Sequence, residues 1–184
     1  MRLFIAIELD KEIRTLLASA QKTFVRTCPG VRWVKPELQH ITVKFLGEVS
    51  DNGVLQVTQA VAAAASQSAP FDVAIDGCGC FPLRGPVRTV WVGARETSRA
   101  LSQCVQRVED ELEEVGFPRD TRPFRAHITL GRVKFDQSGG SIRSAVEAHS
   151  LPVTTQHVAS LTLMSSVLSS RGPTYSHVGR FSLV

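Results

Sequence analysis

Cysteine is scarce in this 184-residue sequence, and the four cysteines form no C-x-x-C pair. A chain of this length can bury a sizeable core without disulfides, so we expect reduced thiols and a cytoplasmic protein. The segment Cys78-Gly79-Cys80 could hold a metal ion only if further His or Cys ligands came from elsewhere in the chain. We therefore interpret these two residues as ordinary cysteines at the end of a strand.

Long apolar runs and nucleotide-binding glycine loops are also absent. The N-terminal apolar run, residues 3–7, is interrupted by Glu8 and Asp10, which excludes a signal peptide and a membrane span there. The sequence contains no G-x-x-x-x-G-K loop and no convincing set of metal ligands. We therefore predict a protein that uses no cofactor and no metal ion and does not bind a membrane.

The positive charge is mild overall but unevenly distributed. The formal net charge is +4, and nothing in the composition suggests disorder. Basic residues crowd the segments around position 127, and we call them the basic rim: Arg84, Arg88, Arg119, Arg122, Arg125, Arg132 and Lys134. Such a rim suits an anionic partner such as RNA, whereas the alternative is an ordinary solvated face.

Strand and helix patterns alternate along the whole chain. The predicted strands cover residues 2–9, 31–34, 40–49, 71–76, 87–92, 127–133, 153–165 and 175–183. The predicted helices cover residues 11–25, 54–66, 97–115 and 141–148. The segments 51–53, 77–86 and 167–174 are predicted turns or loops. No linker separates two domains, so residues 1–184 are predicted to form a single α+β domain of two lobes with a cleft between them.

A short motif occurs once in each half of the chain. The sequence His-Ile-Thr followed by an aliphatic residue begins at His40 and again at His127. Side chains alternate along a strand, so each histidine shares a face with the threonine two residues later, Thr42 or Thr129. The aliphatic residues lie on the opposite face. Together the two strands would line one cleft with two imidazoles and two hydroxyls.

This set of groups suits the cleavage of a phosphodiester. One imidazole can take a proton from the attacking water, and the other can give one to the leaving alkoxide. The hydroxyls can donate hydrogen bonds to the non-bridging phosphate oxygens, where charge rises in the transition state. A single histidine or threonine in a strand usually has only a structural role, but the repeated motif favours catalysis.

The repeated motif and its flanks resemble the 2H phosphoesterase superfamily. The similarity is greatest to its RNA 2′,3′-cyclic phosphodiesterase branch, whose bacterial members are also called 2′-5′ RNA ligases. The similar segments are residues 1–9, 32–37, 40–49, 124–132 and 172–175. The resemblance implies two pseudo-symmetric antiparallel-sheet lobes with outer helices around a central cleft. Gln39 and Ala126 depart from the family, which often has leucine and proline before the two histidines.

The resemblance also implies roles for the residues of the motif. One histidine acts as general base and the other as general acid, and we predict that His127 activates water while His40 protonates the leaving 3′ oxygen. Thr42 and Thr129 are predicted to bind the phosphate, as is Arg132. The remaining histidines, which lack the motif, are predicted to be incidental: His149, His157 and His177.

Four residues outside the motif are further candidates for substrate binding or the cleft wall. Arg132 and Phe45 each follow their histidine by five residues, which strict alternation would place on the wrong face. Gly131 permits a bulge that would re-aim Arg132. Nothing similar precedes Phe45, so a core position is the alternative to stacking on a nucleobase. Arg125 is a candidate phosphate contact, and Tyr175 a candidate wall of the cleft.

The sequence therefore predicts an enzyme that opens terminal 2′,3′-cyclic phosphates on RNA and leaves a 2′-phosphate. Run in reverse, the same site would form a 2′-5′ bond without ATP. One alternative is a small-molecule cyclic phosphodiesterase, and another is a non-catalytic RNA-binding module. The basic rim favours RNA over a small molecule, and the two histidines favour an enzyme over a module. We expect a monomer.

Overall fold

Nine antiparallel strands form one sheet in the computed structural model, which describes residues 1–170 and 172–184. The strands are β1 (Arg2–Glu8), β2 (Val31–Trp33), β3 (His40–Glu48), β4 (Phe71–Phe81), β5 (Thr89–Glu96), β6 (His127–Val133), β7 (Thr154–Val158), β8 (Ser160–Ser169) and β9 (Gly172–Ser182). Their order in the sheet is β7-β4-β5-β6-β3-β1-β8-β9, and β2 pairs with β6. Strands from the two halves of the sequence therefore meet where β3 lies beside β6.

Helices cover one face of this sheet. They are α1 (Lys11–Thr27), α2 (Asp51–Ser66), α3 (Ala100–Glu114) and α4 (Ser141–Glu147), with a single-turn 3₁₀ helix over Pro36–Leu38. The buried stripe of each α-helix joins the aliphatic face of the strands in one continuous core. No helix in the described part of the chain is long and apolar enough to cross a membrane.

The sheet has two halves that correspond to the two predicted lobes. β1, β3, β8 and β9 form one half, and β4 to β7 form the other together with β2. β3 and β6 pair through Ile41 and Ile128, whose side chains are fully buried in the core. The predicted α+β fold of antiparallel lobes with outer helices is confirmed. The two lobes share one sheet rather than lying as separate sheets across a cleft.

Two predicted loops are partly wrong. β4 continues through residues 77–81, because its pairing with β5 absorbs Gly77 as an irregularity and then resumes at Cys78. β8 and β9 pair as far as Ser169 and Gly172, so most of the predicted loop 167–174 is a hairpin. Glycine and proline indicate turns in a sequence, but a bulge or a strand end can accommodate them as well.

The predicted strand 153–165 is also wrong, since it is two strands. β7 pairs with β4 at one edge of the sheet, whereas β8 pairs with β1 in the other half. A period-two pattern does not reveal a change of pairing partner.

α2 begins at Asp51 instead of residue 54, because the Ser50 hydroxyl accepts a hydrogen bond from the Gly53 N–H at 3.3 Å and caps the helix.

Candidate active site

A cleft of about 570 Å³ lies on the face of the sheet opposite the helices. Its size is within the range of small-ligand sites, roughly 300–1,000 Å³. Six residues predicted from the sequence line it: His40, Thr42, Phe45, Thr129, Arg132 and Tyr175. His127 lies just outside this lining, but it is close enough for its charge to act on His40. The cleft therefore brings most of the predicted site residues together.

The pairing of β3 with β6 places each histidine beside the threonine of the other strand. The paired residues are Ile41 and Ile128, and extending their antiparallel register places His40 opposite Thr129 and His127 opposite Thr42. Each half of the site is therefore built from both motifs, and the two halves are related by a pseudo-twofold axis.

Both imidazoles are held by the same kind of backbone contact. His40 Nδ1 lies 2.8 Å from the Leu38 carbonyl oxygen, and His127 Nδ1 lies 2.7 Å from the Arg125 carbonyl oxygen. A carbonyl can only accept a hydrogen bond, so each Nδ1 carries a hydrogen and donates it. Nε2 is then the nitrogen that can take up or release a proton in each ring. The two histidines are matched in tautomer as well as in position.

Aromatic rings support the two imidazoles. The ring of His40 lies 5.0 Å from Phe4 and 5.5 Å from Tyr175, measured between centroids, and meets Tyr175 edge to face. The ring of His127 meets Phe81 edge to face at 5.1 Å. The motif does not reveal Phe4 or Phe81, because each belongs to a strand distant in sequence. Tyr175, a candidate wall of the cleft, is in contact with the His40 ring.

The environment of His40 favours its neutral form. Burial is the largest cause of its lowered pKa, and the charges of Arg132 and His127 act in the same direction. The hydrogen bond to Leu38 and the charge of Glu8 oppose this shift. A phosphate anion bound beside the ring would also raise the pKa, because an opposite charge favours the protonated imidazole.

Two β-bulges bring Phe45 and Arg132 to the cleft. The pairing of β3 with β1 skips Val43, and the pairing of β6 with β5 skips Leu130. Each bulge resets the alternation, so the residue five positions after each histidine returns to the cleft face. The bulge expected beside Gly131 is present. The expectation that strict alternation would turn Phe45 away from the cleft is therefore wrong. The side chain of Phe45 is 61% exposed, which excludes a core position.

Two buried polar side chains hold these bulges from the core face. Gln21 on α1 donates to the carbonyl oxygen of the bulged Leu130 at 2.9 Å. Lys44, which follows the bulge in β3, is only 3% exposed and donates to Glu109 on α3 at 2.5 Å and to the Pro118 carbonyl at 2.9 Å. In the sequence, the role of Gln21 could have been suspected because its amide lies within the apolar stripe of α1. Nothing local in the sequence indicates the partner of Lys44.

The basic rim is only partly directed at the cleft. Of its members, all of which the structure describes, Arg132 alone lines the cavity. Arg119 forms ion pairs with Asp110 and Glu113 on α3. Arg125 contributes its backbone carbonyl to His127, while its side chain is exposed outside the cavity lining. Two cations of the lining were not predicted, Arg32 and Lys35.

The remaining histidines lie outside the lining of the cleft. His177 Nε2 lies 2.9 Å from Glu8, and His157 Nδ1 lies 2.7 Å from Asp72. His149 meets the ring of Phe24 in the core.

The cysteines give no sign of a metal site. The four are free, and burial raises the pKa of Cys78 to about 12 and that of Cys80 to about 11. Both therefore remain protonated thiols near neutral pH in the metal-free protein. Within residues 1–170 and 172–184, no three His, Cys, Asp or Glu side chains lie close enough to hold a metal ion.

The fold and the site define a class of protein. A sheet whose two halves each carry a histidine and a threonine of one repeated motif, in or beside a shared cleft, is the architecture of a 2H phosphoesterase. The family model described as LigT like Phosphoesterase matches the chain twice, over residues 7–91 and 92–175, once for each half. The chain belongs to this family, and the resemblance found in the sequence is confirmed.

Similar proteins match over nearly their whole length. The RNA 2′,3′-cyclic phosphodiesterase of Archaeoglobus fulgidus is 33% identical over 182 residues, covering 98% of this chain and 99% of that protein. The protein of the same name from Thermus thermophilus is 33% identical over 191 residues, which cover 100% of this chain and 90% of that protein. A crystal structure of a Thermus thermophilus protein has a TM-score of 0.82 at 29% identity, and the match covers 100% of this chain and 98% of that chain. E. coli LigT complexed with 3′-AMP has a TM-score of 0.72 at 28% identity, and the match covers 99% of this chain and 97% of that chain.

Proposed function

We propose that this protein is an RNA 2′,3′-cyclic phosphodiesterase, which opens the cyclic phosphate at an RNA end and leaves a 2′-phosphate. The observation that carries this proposal is the matched pair of His40 and His127, each with Nδ1 bonded to a carbonyl and Nε2 left for proton exchange. The similar proteins of Archaeoglobus fulgidus and Thermus thermophilus bear the name of the same reaction.

The reaction follows from the two imidazoles. His127 Nε2 takes a proton from a water molecule, whose oxygen attacks the phosphorus. The bond between phosphorus and the 3′ oxygen breaks, and protonated His40 gives its Nε2 proton to that oxygen. The phosphate stays on the 2′ oxygen. Each acid or base contributes roughly 10²–10⁴ to the rate, and the strained ring lowers the remaining barrier.

The phosphate is held by groups on both strands. The hydroxyls of Thr42 and Thr129 donate to its non-bridging oxygens, and Arg132 balances the charge that grows on them in the transition state. Phe45, which is exposed, and Tyr175, which is half-buried, offer aromatic surface to the terminal base, and stacking of this kind is worth roughly 1–3 kcal/mol. Arg125 stays a predicted contact of the RNA outside the cleft. No cofactor takes part in these steps, and a monomer in the cytoplasm stays a prediction.

The assignment of acid and base needs a direct test, because the two halves of the site are nearly equivalent. The lowered pKa of His40 favours a neutral ring in the free protein, and the bound phosphate anion is what allows this histidine to act as the acid. A substrate with a better leaving group needs no acid. It should therefore restore turnover to His40→Ala but not to His127→Ala, and the opposite result would reverse the roles.

Turnover of a short RNA with a terminal 2′,3′-cyclic phosphate tests the proposed function. Activity is measured in EDTA from about pH 5 to about pH 9 for the wild type and for both alanine variants. We expect a bell-shaped profile and a 2′-phosphate product in the wild type, and a loss of at least about 100-fold in each variant. His157→Ala, on the edge strand β7, is the matched control and should keep full activity. Activity abolished by EDTA, or binding without turnover, would contradict the proposal.

A further inference from the structure

Two arginines face each other across neighbouring strands on the cleft side of the sheet. Arg32 on β2 lies directly opposite Arg132 on β6, and both line the cleft. Among the described residues, neither side chain has a hydrogen bond or an ion pair with a carboxylate. Like charges at opposite positions of paired strands destabilise the sheet. A bound anion would remove this repulsion, so the pair indicates an anion-binding surface.

A third cation belongs to the same surface. Lys35 follows β2 and lines the same cleft, and its ammonium group has no acidic partner in the part of the chain that the structure describes. Both Arg32 and Lys35 are exposed, so an anion can reach them without a rearrangement of the core. The cleft therefore offers more positive charge than a single phosphate beside the histidines would use.

The backbone that carries Arg32 is held firmly in place. Trp33 stacks on Phe24 in the core at 6.0 Å between ring centroids. A Cβ atom added at Gly131, on the neighbouring strand β6, would lie 2.4 Å from a Val31 side-chain carbon and 2.9 Å from a Trp33 ring carbon. The lack of a side chain at Gly131 thus lets β2 sit tightly against β6. Arg32 is presented on a packed strand rather than on a mobile loop.

The number of these cations suggests what they bind. In the reaction proposed above, Arg132 and the two threonines hold the reacting phosphate, which leaves Arg32 and Lys35 in the same cleft for a second anion. In an RNA strand the next anion after a terminal cyclic phosphate is the phosphodiester on the 5′ side of the same nucleotide. Building on the function proposed above, we propose that Arg32 and Lys35 bind this 5′ phosphate and make the enzyme select RNA ends over nucleoside 2′,3′-cyclic phosphates.

Three substrates that differ only on the 5′ side test the proposal. They are a nucleoside 2′,3′-cyclic phosphate, the same compound with a 5′-phosphate, and a dinucleotide with the cyclic phosphate at its 3′ end. We expect kcat/KM for the last two to exceed that of the first by about tenfold, the scale of one charge-assisted hydrogen bond to phosphate. Because the contact is ionic, the preference should shrink as salt rises from about 50 to about 200 mM.

Substitution of Arg32 and Lys35 tests whether these side chains cause the preference for substrates with a 5′ phosphate. Arg32→Gln and Lys35→Gln should each reduce it, and together abolish it, while turnover of the nucleoside compound stays unchanged. Arg32→Lys should keep most of it. Arg26→Gln removes an exposed arginine from the last turn of α1 and should have no effect.

Several outcomes would overturn the proposal while leaving the cyclic phosphodiesterase activity intact. These are equal turnover of the three substrates by the wild type, a preference that survives in the double variant, and a preference for the dinucleotide that the 5′-phosphate alone does not reproduce. The last result would assign selectivity to the upstream nucleoside instead of its phosphate. Failure to turn over any of the three would count against the proposed function itself.

Discussion

Thr42 and Thr129 differ from ordinary strand threonines because each lies opposite a histidine of the other motif. Replacing either by valine keeps the shape of the side chain and removes only the hydrogen-bond donor. We expect kcat/KM for the cyclic-phosphate RNA to fall by about 10- to 100-fold, because a hydrogen bond to a charged group is worth about 1.5–3 kcal/mol. Thr155→Val, at an exposed position of β7, is the matched control. A loss of activity no larger than that of the control would exclude phosphate binding by the threonines.

The lowered pKa of His40 also predicts how the stability of the folded protein depends on pH. Its pKa in the folded protein lies below the ordinary value of 6.5, so below about pH 6.5 the unfolded chain takes up a proton at this residue before the folded chain does. The free energy of unfolding should therefore fall as the pH drops from about 7 towards the folded pKa. His40→Gln should flatten this part of the profile in urea titrations. His157→Gln serves as the control, and a profile as steep in His40→Gln as in the wild type would contradict the prediction.

At the level of secondary-structure elements, the pair of Lys44 and Glu109 fastens β3 to α3. Both side chains are largely buried, so Lys44→Met would leave an unpaired carboxylate and should cost about 3–5 kcal/mol of unfolding free energy. Replacing both, as Lys44→Met with Glu109→Leu, removes the unpaired charge and should restore most of this loss.

The pair of Arg95 and Asp76 provides the comparison for this prediction. It joins β5 to β4, and its arginine is 61% exposed. Arg95→Met should therefore cost less than about 1 kcal/mol in urea titrations. If Lys44→Met cost no more than this, the buried pair would not stabilise the bulged part of β3.

At the level of the whole molecule, one core runs through both halves of the sheet. We therefore expect the halves to unfold together, as a single cooperative unit. Both tryptophans, Trp33 and Trp91, lie in the half built from β4 to β7 and β2, whereas circular dichroism reports on all helices and strands. The urea transitions seen by fluorescence and by circular dichroism should coincide.

A core substitution in the other half sharpens this prediction. Val57 on α2 is fully buried, and α2 packs on β8 and β9. Val57→Ala should cost about 2 kcal/mol and shift both transitions by the same amount. A shift confined to circular dichroism would indicate two domains that unfold separately.

The class of the protein was predictable because its signals are local. Alternation along a strand places each histidine on the same face as the threonine two residues later, whatever the strand pairs with. The spacing of apolar residues likewise indicates the four helices, since helical periodicity depends only on near neighbours in the chain. The two copies of the motif and their flanks therefore predicted the superfamily and the pair of catalytic candidates, and the strand and helix patterns predicted the α+β fold.

Features that depend on pairing between distant strands could not be predicted in this way. Phe45 reaches the cleft because β3 bulges at Val43 against β1, and no residue near Val43 announces it. Arg32 lies opposite Arg132 because β2 pairs with β6 in one particular register, and the segment from 153 to 165 divides because its two parts find different partners. Strand register is set by side-chain packing and hydrogen bonds between segments far apart in the chain, so these contacts arise only when the whole chain has folded.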